Sequence, residues 1–288
     1  MAAYRVDYNG WLTVKASVNG AGPYDFIVDT GATLTVVFKN LADAQALTPS
    51  DTPPRRVLGL SSAEKLPAVN IGEVSAAGQA LPAHVGVVLP DWTPPRKTPQ
   101  GILGLDFLEN YTVIFDGEEQ KMLLFDPTDP PRDRWRGWRR IKLTPENFGF
   151  TTSGALYTVN GRVGRVPINF VVDIGAAGTI INRNAFLRIN QGPFIQFIEP
   201  SRLRSTIQNR VTDVFEEKDR VFAAVLPWIT FGRHRWRQPR VLVYDAPVFE
   251  ELKVNERPSG LLGADFLKDR SFAFDFKNER LYFEKDAR

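Results

Sequence analysis

The chain carries the same pattern twice. Gly20-Ala-Gly-Pro-Tyr-Asp-Phe-Ile-Val-Asp29-Thr-Gly-Ala32 returns, 144 residues later, as Gly164-Arg-Val-Pro-Ile-Asn-Phe-Val-Val-Asp173-Ile-Gly-Ala176. A second pair, Gly101-Ile-Leu-Gly-Leu-Asp-Phe-Leu108 and Gly260-Leu-Leu-Gly-Ala-Asp-Phe-Leu267, is offset by 159, so the second half holds 15 extra residues between its motifs. One structural plan used twice in order predicts two similar lobes related by a pseudo-twofold axis. The breaker-rich run Asp126-Pro-Thr-Asp-Pro-Pro131 separates them. The expected division is a first lobe over 4–127, a linker over 128–139 and a second lobe over 140–288.

Each half reads as mostly β. Leu12, Val14, Ala16 and Val18 alternate with Thr13, Lys15 and Ser17, the period of a half-buried strand. Asn19-Gly20 follows as a hairpin turn. Helical stretches are few and short: 38–47, 105–110, 184–189 and 264–268.

Composition narrows the chemistry. There is no cysteine, which excludes a thiolate nucleophile and any Cys-ligated metal. His84 and His234 are the only histidines, and neither stands in a pattern that supports a Ser-His-Asp arrangement. No metal and no cofactor are expected. No run of 18 apolar residues exists, so no transmembrane helix is expected. The first residues lack the charged and apolar regions of a leader. A periplasmic or secreted location is favoured if a leader was removed, a cytoplasmic one otherwise. The net charge is only +3, and Arg132–Arg140 and Arg233–Arg240 interleave Arg with Trp. Their expected role is to cover the lobe interface rather than to bind nucleic acid.

The segment Phe26–Ala32, an apolar strand running into Asp-Thr-Gly-Ala, resembles the active-site loop of the retropepsin and pepsin superfamily of aspartic proteases. Asp173-Ile-Gly-Ala176 takes the place of the second loop, and Gly101–Gly104 and Gly260–Gly263 match the family's hydrophobic-hydrophobic-Gly segments. The resemblance implies an all-β, two-lobed acid-protease-like fold of two retropepsin-like β-barrel lobes fused in one monomeric chain. It implies an aspartic endopeptidase with Asp29 and Asp173 as the catalytic pair. In aspartic proteases generally, two carboxyls this close share one proton, one activating water and the other serving as acid. Thr30, Gly31 and Ala32, with Ile174, Gly175 and Ala176, would support the loops. The partner would be a peptide or protein substrate.

The departure is Ile174, where the family carries Thr or Ser. Thr30 can supply half of a reciprocal hydrogen-bond lock across the axis, and Ile174 cannot return it. A flap is expected at Val57–Ser62, with Leu58, Gly59, Leu60 and Ser61 as substrate-facing residues. Its counterpart falls in 204–216, with Gln208-Asn209 as the tip. Asp106 and Asp265 read as caps of the short helices. Three alternatives stay open: a non-catalytic peptide-binding module of the same fold, a homodimer pairing Asp29 with its symmetry mate, and nucleic-acid binding through the Arg/Trp segments.

Overall fold

The computed structural model describes residues 1–7, 10–93, 97–148, 155–191, 209–212, 218–267 and 269–285, with side chains of 209–212 and 218–220 left aside. It is an all-β, two-lobed fold with few short helices.

In the first lobe, strands Leu12–Val18 and Ala21–Val28 form a hairpin. Asn19 and Gly20 turn it with φ of 52° and 77°, the left-handed pair that a two-residue turn requires. The end of the second strand is buried on both faces (Phe26, Ile27 and Val28), because Gly101–Leu103 lies parallel beside it. The second lobe repeats this with Leu156–Val163, Val166–Val172 and the parallel strand Ser259–Leu262. Helices stay short: Lys39–Ala44, Leu105–Leu108, Arg183–Asn190 and Pro247–Glu251. The first ends earlier than its sequence suggests, since Ala46 takes a φ of 47° that stops the helix.

Between the lobes, six described strands form one antiparallel sheet, in the order Arg139–Lys142, Arg280–Phe283, Phe272–Asp275, Thr112–Asp116, Lys121–Phe125 and Ala2–Val6. Its centre fixes the pseudo-twofold axis. Ile114 pairs with Ala273, which is its own repeat mate at the 159-residue offset. Val113 pairs with Phe274 and Phe115 with Phe272, each the mate of the other's partner. Phe115 stacks on Phe272 across this seam, ring centroids 4.6 Å apart. Such a pair adds about 0.5–1.5 kcal/mol beyond the area it buries.

The sheet separates two apolar regions. Its inner face gives Val113, Phe115, Met122, Phe272, Phe274 and Leu281 to the principal core, which also holds Val28, Val172 and Ile174. Its outer face gives Ile114, Leu123 and Ala273 to a small cluster closed by Trp135, with Trp138 and Tyr282 packed against it. Trp135 comes from the 3-10 turn Arg132–Trp135 and stacks on Tyr282 at 5.0 Å. The tryptophans of the linker therefore cover the lobe interface, as their sequence suggests.

Candidate active site

Each Asp-x-Gly loop leaves the end of a buried strand and is held there by backbone bonds that repeat in both lobes. The Asp29 amide donates to the Leu103 carbonyl at 3.0 Å, and the Asp173 amide to Leu262 at 3.0 Å. The Leu105 amide donates to Ala32, and Ala264 to Ala176, both at 2.8 Å. Gly104 is glycine because a Cβ there would lie 2.5 Å from the Leu34 carbonyl carbon, and Gly263 would meet Gly178 at the same distance.

The two loops meet on the axis, each carboxyl lying over the other lobe's glycine and close enough for the Asp29 charge to raise Asp173. A Cβ on Gly31 would lie 2.7 Å from the Asp173 carboxyl carbon, and a Cβ on Gly175 would run into the Asp29 carboxyl. Neither glycine has a positive φ in the left-handed range. Close approach of the opposite lobe's carboxyl, and not a special backbone turn, is why both are glycine.

The electrostatics are unequal. Burial pushes the Asp29 carboxyl above its ordinary 3.8, and amides of Gly31 (2.7 Å), Ala32 and Gly175, with the Asp173 side chain, pull it back. Asp173 is raised well above that value, first by burial, then by the Asp29 charge; the amides of Ala176 (3.0 Å) and Gly175 oppose the rise. Two carboxyls this close, both raised, share one proton as a pair. Both side chains keep a partial opening to solvent.

Thr30 is buried and reaches across the axis. Its hydroxyl donates to the Val172 carbonyl at 2.8 Å and accepts from the Ile174 amide at 3.1 Å. By the repeat, a hydroxyl at position 174 would meet Val28 and Thr30 in return, but Ile174 has none and is fully buried in the principal core. The hydroxyl can be isolated by comparing Ile174→Thr with Ile174→Val, which match in shape. If the return bond forms, Thr is the more stable by about 0.5–1.5 kcal/mol in thermal melts. That is the expected order, because the bonds that fix the two loops to their neighbouring strands, Asp29 to Leu103 and Leu105 to Ala32, recur in the second lobe.

Thr35 and Thr179 complete a second ring of support that the sequence reading missed. The Thr35 amide and hydroxyl donate to Asp106 at 2.8 and 2.7 Å, and its hydroxyl accepts from Gly104. Thr179 does the same with Asp265 and Gly263. Asp106 and Asp265 therefore anchor the loop after each carboxyl, and Asp106 also accepts from the Phe107 amide in the first turn of its helix at 2.9 Å, the role its sequence suggests. The helix starts are Gly104 and Gly263, without side-chain caps. The recurrence of Thr at the 144-residue offset was the available signal.

The first flap is the hairpin Arg55–Leu58 and Ala63–Leu66. Leu58 pairs with Ala63, and the Gly59 amide closes the tip on the Ser62 carbonyl at 2.8 Å. Val57 packs on the same apolar cluster as Ala32 and Leu34, beside the Asp29 loop. The tip crosses to the other lobe: Leu60 packs on the principal core, Tyr244 donates its hydroxyl to Ser61 at 3.4 Å, and Arg56 forms a two-point ion pair with Glu251. Glu251→Gln removes that strap. It is expected to speed substrate association and to remove part of its salt dependence while leaving kcat unchanged, as stopped-flow binding can measure.

In the second lobe Asn209 lies in the strand Asn209–Thr212, paired with Val221, and not at a turn. The strand pairs with Lys218–Val225; Gln208 and residues 213–217 lie outside the described residues. Among the described residues, no group of three or more His, Asp or Glu is placed to hold a metal, and no helix is long and apolar enough to cross a membrane.

The profile of a family described as aspartyl protease matches residues 14–107 and again 157–266. No curated protein matches the sequence. Conglutin gamma, titled a unique basic 7S globulin from lupine seeds, has a similar solved structure, with a TM-score of 0.53 over 99% of this chain and 94% of its own. At 12% identity that likeness shows the fold alone. The two profile matches together span well over half of the sequence, one on each Asp-x-Gly loop, and the chain belongs to the aspartyl protease family.

Proposed function

We propose that this chain is an endopeptidase in which Asp29 and Asp173, one from each lobe, activate a single water for attack on a peptide carbonyl. The observation that carries this reading is the reciprocal nesting of each carboxyl over the other lobe's glycine. The ionised carboxyl of the pair takes a proton from the water, and the protonated one hydrogen-bonds the scissile carbonyl. The proton then passes to the leaving amine. Thr30 fixes the two loops relative to one another, and the Arg55–Leu66 hairpin would lie along an extended substrate and pair with its backbone.

The test is cleavage of a degenerate peptide library across pH, with and without an inhibitor whose hydroxyl mimics the tetrahedral intermediate. The expected profile is a bell on the acid side of neutrality. Its acid limb is the loss of the pair's single negative charge, and its basic limb the loss of its shared proton. Burial raises both carboxyls, so the bell is centred above the ordinary 3.8 of a free Asp. The two apparent values belong to the pair. Activity climbing steadily into alkali would sink the mechanism.

A second reading, a peptide-binding module without turnover, is favoured by one observation, the missing hydroxyl at Ile174. Binding of library peptides at acid pH without any cleavage would establish it.

A further inference from the structure

The face of the interlobe sheet opposite the carboxyl pair carries an unbalanced positive charge. Arg132, Arg134, Arg136, Arg139, Arg140 and Lys142 are all exposed at this edge, and Asp133 is the only acid in that segment. Arg140 and Lys142 share the outer face with Tyr282 and Arg280, while Arg139, opposite Phe283, leaves the edge strand on the other side. The segment alone holds more positive charge than the +3 of the whole chain, so the remainder is net negative. Among the described residues, no carboxylate pairs with Arg132, Arg136, Arg139 or Arg140; Arg134 lies over the Phe125 ring, and Lys142 reaches Glu279 only at 3.9 Å.

The fold gathers these charges on rigid backbone. Arg139–Lys142 is the edge strand of the sheet, and Arg140 stands directly opposite Tyr282, with Arg280 two residues before it on the same face. Trp135, stacked on Tyr282, brings the Arg132 turn over the same spot. Burial and the buried Asp275 raise the Tyr282 phenol, and Arg140, Arg280 and Arg132 oppose that rise. Asp275 itself is occupied by Asn278.

We propose that this edge, Arg132–Lys142 with Arg280, docks the protein on an anionic phospholipid surface. Charge complementarity carries the argument, since each Lys or Arg held at such a surface adds to binding. A nucleic acid fits less well. Trp135 and Trp138 are packed onto the sheet and offer no platform on which bases could stack. The principal core lies between this face and the two carboxyls, so docking leaves the cleft open.

The experiment is flotation of the full-length chain with vesicles of phosphatidylcholine alone or mixed with phosphatidylserine. Binding is expected only to the mixed vesicles, and is expected to disappear in high salt. Arg132→Ala and Arg140→Ala should each weaken it about fivefold. Arg188→Ala, an equal charge change on an exposed helix of the second lobe, should leave it unchanged. All three variants should keep the parent melting temperature. The proposal is overturned by no binding to mixed vesicles, by equal binding to both kinds, by Arg188→Ala weakening binding as much as the others, or by tighter binding of single-stranded or duplex oligonucleotides at the same ionic strength.

Discussion

Asp29→Asn and Asp173→Asn are each expected to lower peptide cleavage by about 10²–10⁴-fold, the usual share of a general acid or base. The two variants should part company in stability. A carboxyl whose folded pKa is raised gives stability that is present below its unfolded value and lost as pH rises through the folded value. Both carboxyls are raised, Asp173 the more, so the pair weakens the fold as pH climbs from 3.8 through the raised values. Asn at 173 mimics the protonated acid and cannot ionise. Above that window, Asp173→Asn should therefore melt higher than the parent, by about 2–4 °C for each kcal/mol of repulsion removed. At pH values below 3.8 the two should coincide. Asp29→Asn should gain less, because amides of Gly31, Ala32 and Gly175 favour a charged oxygen at that position. Calorimetric melts of the three proteins at acid and neutral pH give the comparison. If both variants cleave at the parent rate, the pair does not carry the reaction.

What the sequence makes legible is whatever the repeat carries. The 144- and 159-residue offsets locate the axis closely enough that Ile114 and Ala273, mates by arithmetic, pair on it in the sheet. Asp29 and Asp173 follow from the same arithmetic, and so does the half-missing lock, because a change from Thr30 to Ile174 removes a hydroxyl whatever the surroundings. Partners set by tertiary contact were not legible. Asp106 looks like a cap because it sits at the second position of a short helix. It does accept from the Phe107 amide there, but its other partner, Thr35, is 71 residues away in sequence, and nothing local announces that second use of the carboxylate. The second flap fails for another reason. The stretch 204–216 has no glycine to mark a tip, and the 15 inserted residues break the correspondence with the first lobe. The strand register therefore places Asn209 in a strand where the sequence suggested a tip. The Arg132–Arg140 segment was half read. Its tryptophans do cover the interface, but the concentration of unpaired cations on one edge emerges only when Arg280 is brought beside Arg140.

The glycines under the carboxyls give the sharpest test of the geometry. Gly175→Ala would drive a methyl into the Asp29 carboxyl, and Gly31→Ala would place one 2.7 Å from the Asp173 carboxyl carbon. Neither carboxyl can retreat without giving up the amides that hold it. Overpacking of this kind costs about 1–3 kcal/mol. A displacement of about 1 Å in a reacting group costs about 10²-fold in rate, so cleavage should fall by at least that much. Gly178→Ala supplies the control. It lies in the same loop as Asp173, yet nothing stands within 4 Å of where its Cβ would sit. It should melt and cleave as the parent does. The assignment of the clash to the opposite lobe can be read from a double-mutant cycle. Asp173→Gly removes the group that Gly31→Ala strikes, so Gly31→Ala should cost little more in that background. Asp29→Gly should relieve Gly175→Ala in the same way, and crossing the pairs should relieve neither. Additive losses in the matched pairs would mean that the methyl strikes something other than the carboxyl, and the two lobes would then not meet as described.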